Sequence, residues 1–162
     1  SELHAAIGLE SLAELDAHLA IRRDLADRYR AVLAGVDGIT PQAVDPRDAS
    51  TYKDFTVIVD ETAFGLDRDT VATALRAEGI DTRPYFYPPV HRQQAYADLA
   101  TPDLPATDWV ADRVISLPLW RDMPPTAVAS VAEVLGHLGA RAGEVRQAVG
   151  VDVEEAGACV PW

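Results

Sequence analysis

The hydrophobic positions change their spacing along the chain, and each change predicts a different element. Over residues 1–34, apolar side chains recur three and four positions apart with charges between them, which predicts one long helix. Ser1 is a suitable N-cap, and Gly35 stands where helices commonly end. Such a helix would be about 50 Å long, so we expect it to span a domain boundary or to pack against a partner.

Strand-like patterns follow. Residues 51–60 alternate with a period of two and are rich in β-branched and aromatic side chains, which predicts a strand. A second strand is predicted over residues 80–87 and ends at Pro88-Pro89, because proline has no backbone N–H to extend a ladder. The apolar run at residues 114–119 predicts a third strand, and residues 39–44 a possible edge strand.

Shorter helical patterns separate and follow these strands. They lie at residues 70–78, 91–99, 107–113 and 126–141. From Gly143 onward the chain is acidic and weakly periodic, so residues 143–162 are predicted to form a poorly ordered tail. The order of elements predicts one α+β domain over residues 1–142, with helices packed on a small sheet.

Composition narrows the class of protein. The 162 residues carry a net charge of −12, so an acidic surface would repel a phosphate backbone and nucleic acid is not an expected partner. Apolar runs stay well short of the roughly 20 residues of a membrane helix. Cys159 is the only cysteine and cannot form an internal disulfide. We therefore expect a cytoplasmic protein without a membrane partner.

Candidate chemistry is concentrated in one segment. There is no GxGxxG, P-loop or HExxH motif, and four scattered histidines do not predict a metal site. Residues 82–91, TRPYFYPPVH, combine a cation, phenols and a histidine. In a strand, Arg83, Tyr85 and Tyr87 would share one face, with His91 in the following turn, and could line a polar cleft. Arg83 suits a phosphate or carboxylate. An exposed edge strand with amphipathic tyrosines explains the pattern equally well.

Three segments carry a resemblance to a known family. The opening SELHAAIG, the GI-x-TRPYFYPPVH segment and SLPL occur in the order and spacing of the DegT/StrS group. These are nucleotide-sugar aminotransferases that depend on pyridoxal 5'-phosphate (PLP), and residues 1–139 resemble their C-terminal region. The resemblance implies the small C-terminal domain of type I, aspartate-aminotransferase-like PLP enzymes.

The resemblance also implies a larger protein. In the family the Schiff-base lysine, the aspartate facing the pyridine nitrogen and most phosphate contacts lie in an upstream large domain. The implied reaction moves an amino group from glutamate to a keto-sugar nucleotide, commonly in a homodimer. We expect the chain to be an excised domain, with a natural remnant or half of a split enzyme as alternatives, and not to be catalytic alone.

Site residues follow from the same resemblance. Tyr85, Tyr87 and His91 match a segment beside the sugar-binding cleft, where they would hydrogen-bond and stack on substrate. Arg83 occupies a position at which the family varies. Lys53, the only lysine, would contact the nucleotide-sugar phosphates or the carboxylate of the amino donor. Otherwise its aliphatic stem simply covers the face of the strand that carries Phe55. No catalytic or cofactor-binding residue is assigned.

Two other functions compete with the enzyme part. One is a stand-alone, non-catalytic module that binds a sugar nucleotide or docks onto another subunit. The other is a small interaction domain unrelated to PLP, which would require the matching segments to coincide by chance.

Overall fold

The computed structural model describes residues 1–99 and 103–155, with side-chain surroundings up to residue 150. Cys159 and residues 156–162 of the expected tail lie outside this range. Within it, helices pack on a small antiparallel sheet, so the α+β prediction is confirmed.

The predicted long helix is divided in two near its middle. Helix α1 spans Glu2–Ala13 and α2 spans Leu15–Leu33, separated by Glu14. The Glu14 carboxylate contacts Arg121, 3.2 Å away, in the loop that follows the last strand. Helix α1 buries none of its residues, whereas α2 supplies Leu25, Ala26, Tyr29 and Leu33 to the core.

Three antiparallel strands form the sheet. Strand β1 spans Ile39–Pro41, β2 spans Phe55–Val59 and β3 spans Val114–Leu117, in the order β1-β2-β3. Every second residue of β2 is buried, as the alternation of residues 51–60 predicted. The strands predicted at residues 39–44, 51–60 and 114–119 are thus confirmed, each in a shorter form.

The strand predicted over residues 80–87 is wrong. Only Arg83 pairs with the sheet: its N–H donates to the Ser116 carbonyl at 3.1 Å, and the Ser116 N–H donates back at 2.7 Å. Pro84 follows at once, and Pro88 comes soon after. Because proline has no N–H to donate, the ladder cannot continue, and the segment runs on in turns.

The remaining helices all follow β2 along the chain. They are α3 (Glu61–Phe64), α4 (Arg68–Ala77), α5 (Pro105–Ala111), α6 (Pro125–Ala140) and α7 (Ala142–Glu155). Two short 3₁₀ helices, Val90–Arg92 and Gln94–Tyr96, replace the single helix expected over residues 91–99. Helix α3 was not predicted, although Asp60 caps it with its carboxylate.

Helix α7 occupies Ala142–Glu155, which is much of the segment predicted from Gly143 onward to form a poorly ordered tail. Ala142 and Val145 pack against the core, and the Arg146 guanidinium donates to the Gly65 carbonyl. Gly65 has a φ of +88°, and a Cβ there would lie 2.8 Å from the Cβ of Ala142. Among residues 142–150, Ala142 and Val145 are the hydrophobic side chains that pack against the core, in keeping with the weak periodicity of this stretch.

The core is centred on the contact of α2 with the sheet. The Tyr29 ring stacks on Phe55, with centroids 4.8 Å apart, and its hydroxyl donates to the Pro118 carbonyl at 2.9 Å. Burial raises the pKa of the Tyr29 phenol, so this hydroxyl stays a donor at any physiological pH.

Helix α4 begins at a carboxylate cap that makes its stability depend on pH. The Thr70 N–H and hydroxyl both donate to Asp67, each at 2.8 Å. Burial raises the pKa of Asp67, but these hydrogen bonds outweigh it and hold the pKa below its usual 3.8. The cap therefore stabilises the fold fully above its unfolded pKa, and this contribution is lost as the pH falls through the lower folded pKa.

We expect Asp67→Ala to lower the free energy of unfolding by about 1 kcal/mol at pH 7, the usual value of an N-cap. Urea unfolding between pH 2 and pH 7 should show the difference from the unsubstituted chain shrinking at the acid end. Asp98→Ala, at an exposed position, is the control and should leave this pH dependence unchanged. A constant difference across the whole range would contradict a carboxylate cap.

Candidate functional site

A cleft of about 610 Å³ opens where the end of β3 faces α6 and the chain after α4. Its walls are mostly apolar, with a few charged and hydroxyl groups. The lining residues are Asp54, Gly79, Ile80, Asp81, Arg83, Tyr85, Ser116, Leu117, Pro118, Leu119, Trp120, Met123, Ala127, Ser130 and Val131. An apolar cleft with few polar groups is typical of a small-molecule site.

Arg83 is the cation in the wall of this cleft. Its backbone is fixed by the two hydrogen bonds with Ser116, and its guanidinium contacts the Asp81 carboxylate at 3.0 Å. The side chain is 58% exposed, so this ion pair is weak and its donors are accessible to a ligand.

Lys53 does not line this cleft, but it contacts two residues that do, Asp54 and Tyr85. Its ammonium group is 3.0 Å from the Asp54 carboxylate and 5.5 Å from the centroid of the Tyr85 ring. The side chain is 76% exposed. Tyr85 lines the cleft together with Arg83, and its ring is the contact between Lys53 and the cleft lining.

The aromatic residues do not share one face, because the segment is not a strand. The rings of Tyr85 and Phe86 stack on each other, with centroids 5.1 Å apart, instead of pointing to opposite sides. Tyr87 does not line the cleft; its ring lies over the guanidinium of Arg68, 4.6 Å from the guanidinium carbon.

His91 also stands apart from the cleft lining. Its Nε2 is 2.8 Å from a carboxylate oxygen of Asp108, and the side chain is only 15% exposed. Arg92 contacts the same oxygen and also Asp112, at 3.3 Å. These ion pairs join the first 3₁₀ helix to α5. Arg83 and Tyr85 therefore line the cleft and Lys53 lies next to Tyr85, whereas Tyr87 and His91 lie outside the lining.

Sequence reasoning overlooked part of the cleft. Trp120 lines it with a half-exposed indole, and the tryptophan that ends ISLPLW was the available signal. Asp54 and Asp81 lie directly beside the two cations. Ser116 also lines the cleft, where it is buried with its hydroxyl 2.9 Å from that of Thr56.

The residues of this chain do not fit a covalent PLP site. A lysine that forms a Schiff base is activated by desolvation or by a neighbouring cation. Lys53 is largely solvated and is paired with a carboxylate, so it has neither feature. The part of the chain described by the structure also contains no cluster of potential metal ligands and no helix suited to span a membrane.

Comparison with known proteins agrees with this fold. The sequence model of the DegT/DnrJ/EryC1/StrS aminotransferase family matches residues 1–136. The dTDP-4-amino-4,6-dideoxy-D-glucose transaminase of Escherichia coli is 30% identical over 138 residues, which are 83% of this chain and 37% of that protein.

Solved structures show the same relationship. DesI, in the presence of its TDP-sugar product, superposes with a TM-score of 0.82 at 31% identity, over 88% of this chain and 36% of DesI. DesV of S. venezuelae gives 0.76 at 32% identity, over 85% of this chain and 36% of DesV. The chain thus spans little more than a third of the length of these relatives.

The surroundings of Lys53 predict poor reactivity with PLP. After one equivalent of PLP and borohydride reduction, we expect no saturating adduct on Lys53, because its amine is solvated and ion-paired. Mass spectrometry of Lys53→Arg provides the control and should give a similar total adduct level. A stoichiometric adduct that disappears in Lys53→Arg would show that the lysine is activated after all.

Proposed function

The chain belongs to the DegT/DnrJ/EryC1/StrS aminotransferase family, and from this we propose that it is the C-terminal small domain of a nucleotide-sugar aminotransferase. The complete enzyme would transfer an amino group to a keto sugar carried on a nucleoside diphosphate. The match over residues 1–136 is the observation that carries this proposal. Relatives named as a dTDP-sugar transaminase and as a protein with a TDP-sugar product support the substrate class.

The cofactor is proposed to be PLP, bound by a large domain that precedes this one. The solvated, ion-paired state of Lys53 supports that division, because the covalent link then requires a lysine from elsewhere. Glutamate as the amino donor, a homodimer and a cytoplasmic location are proposed from the family resemblance alone. This domain would close one side of the active site.

The two cations beside Tyr85 are proposed to bind the diphosphate. A chain with a net charge of −12 repels a free diphosphate at long range, so local cations must supply the attraction. Arg83 presents a planar fork of donors suited to phosphate oxygens, and Lys53 adds a point charge. Their contacts with Asp81 and Asp54 are exposed and weak, so a phosphate can replace either carboxylate.

The aromatic residues are proposed to bind the uncharged parts of the substrate. Tyr85 and Trp120 both line the cleft and offer ring faces to a base or a sugar. The Tyr87 phenol is half exposed and therefore accessible to a ligand. Nε2 of His91 is engaged with Asp108, so Nδ1 is the atom with which His91 would contact substrate.

The competing proposal is a stand-alone binding module. The reading frame upstream of Ser1 distinguishes it from the first proposal. We expect that frame to encode a lysine after a serine-rich strand, followed by a glycine- and asparagine-containing segment. A start codon immediately before Ser1 would favour the module.

In the complete enzyme, we expect Arg83→Gln to raise KM for the nucleotide sugar about tenfold with little change in kcat. Loss of one charge-assisted phosphate contact accounts for a change of about that size. A contact that is equally strong in the ground state and in the transition state affects KM and leaves kcat unchanged. Steady-state kinetics should be compared with Arg76→Gln, which removes an exposed arginine of α4 away from the cleft. Equal KM values in the two variants would argue against a phosphate contact at Arg83.

A further inference from the structure

Arg68 is a buried cation at the first turn of α4. Only 3% of the residue is exposed, although a guanidinium is among the groups most costly to remove from water. A buried arginine is tolerated when hydrogen bonds and opposite charge surround it, so its partners should reveal its role.

The partners of Arg68 satisfy the guanidinium incompletely. Its Nη1 donates to the Val114 carbonyl at 3.2 Å, which fixes the group against β3. The Asp69 carboxylate approaches Nε to 2.7 Å, but without the alignment of a hydrogen bond, so this contact is ionic only. An apolar side chain of similar volume would avoid the desolvation cost at this position.

The remaining face of the guanidinium supports an aromatic ring. Tyr87 lies over it at 4.6 Å, within the range of a cation–π contact, which is strongest for a desolvated cation. The segment around Tyr87 is anchored on both sides, by the pairing of Arg83 with Ser116 and by that of His91 with Asp108. Pro89 is buried as well, so the position of the backbone does not depend on Arg68 alone.

We infer that Arg68 is a positioning residue: its buried guanidinium is the platform that orients the Tyr87 ring and thereby its hydroxyl. The Val114 carbonyl holds the guanidinium against β3, and the Tyr87 ring packs on the guanidinium. Arg68 itself does not line the cleft and need not touch a ligand. The value of this orientation for catalysis rests on the proposed function, because it requires that Tyr87 contacts the sugar nucleotide.

The stack itself can be tested on this 162-residue chain without any substrate. In NMR spectra, the Nε–H signal of Arg68 should be shifted upfield by the Tyr87 ring and should exchange slowly. Tyr87→Phe keeps the ring and should preserve this signal, whereas Tyr87→Leu should abolish the shift. Tyr87 is half exposed, so these variants leave the core intact. An Arg68 signal that is unchanged in Tyr87→Leu would overturn the inference.

Whether the orientation of Tyr87 by Arg68 affects binding of the nucleotide sugar is tested separately, in the complete enzyme. Arg68→Lys keeps the charge but loses the planar surface, and we expect it to raise KM for the nucleotide sugar about three- to tenfold, the equivalent of one cation–π contact. In a Tyr87→Leu background the same substitution should have no further effect. Arg76→Lys is the matched control on α4.

The outcomes distinguish the two proposals. Additive effects of Arg68→Lys and Tyr87→Leu on KM would overturn the positioning role, because the two residues would then act independently. If the NMR shift depends on the Tyr87 ring but no Tyr87 variant changes KM, the orientation by Arg68 is supported and the substrate contact of Tyr87 is wrong. A loss of substrate use in Tyr87→Phe, with the NMR shift retained, would support both.

Discussion

The pairing of β3 on both of its sides is the constraint on which the sheet and the cleft depend. Ser116 accepts from and donates to Arg83, while its hydroxyl meets that of Thr56 across the β2–β3 pair. The same strand runs on into Pro118 and Trp120, where the chain forms part of the cleft wall. Because the Tyr29 hydroxyl holds the Pro118 carbonyl, the packing of α2 on the sheet also fixes this wall.

The electrostatics of the site follow from an acidic chain that pairs its cations locally. Lys53 lies beside Asp54, Arg83 beside Asp81, and Arg92 beside Asp108. The first two pairs are exposed and cost little to break, whereas Asp108 is shared with the mostly buried His91. Burial therefore separates two kinds of ion pair. At the cleft, Lys53 and Arg83 can replace a carboxylate partner with a ligand, whereas the buried pairing at Asp108 holds the first 3₁₀ helix against α5.

The sequence predicted the elements that are set by local patterns of residues. It did not predict the contacts between residues that are far apart along the chain. The alternation of residues 51–60 identified β2 because every second side chain is buried. The strand predicted over residues 80–87 does not form, since the prolines allow only Arg83 to pair. Arg83 and Tyr85, two of the candidate site residues, lie in the lining of the cleft. The stack of Tyr87 on Arg68 joins residues far apart in sequence, and no local pattern indicates it.

Helix α7 shows how a segment without a strong pattern can still support the site. It lies beyond residues 1–136, which the family model matches, yet it packs on α4 and α6. Its Arg146 reaches the Gly65 carbonyl, shortly before the Asp67 cap at which α4 begins. Helix α4 is thus held by α7 as well as by β3. Arg68 stands at the first turn of that helix, so α7 helps to fix the element that carries the buried guanidinium beneath Tyr87.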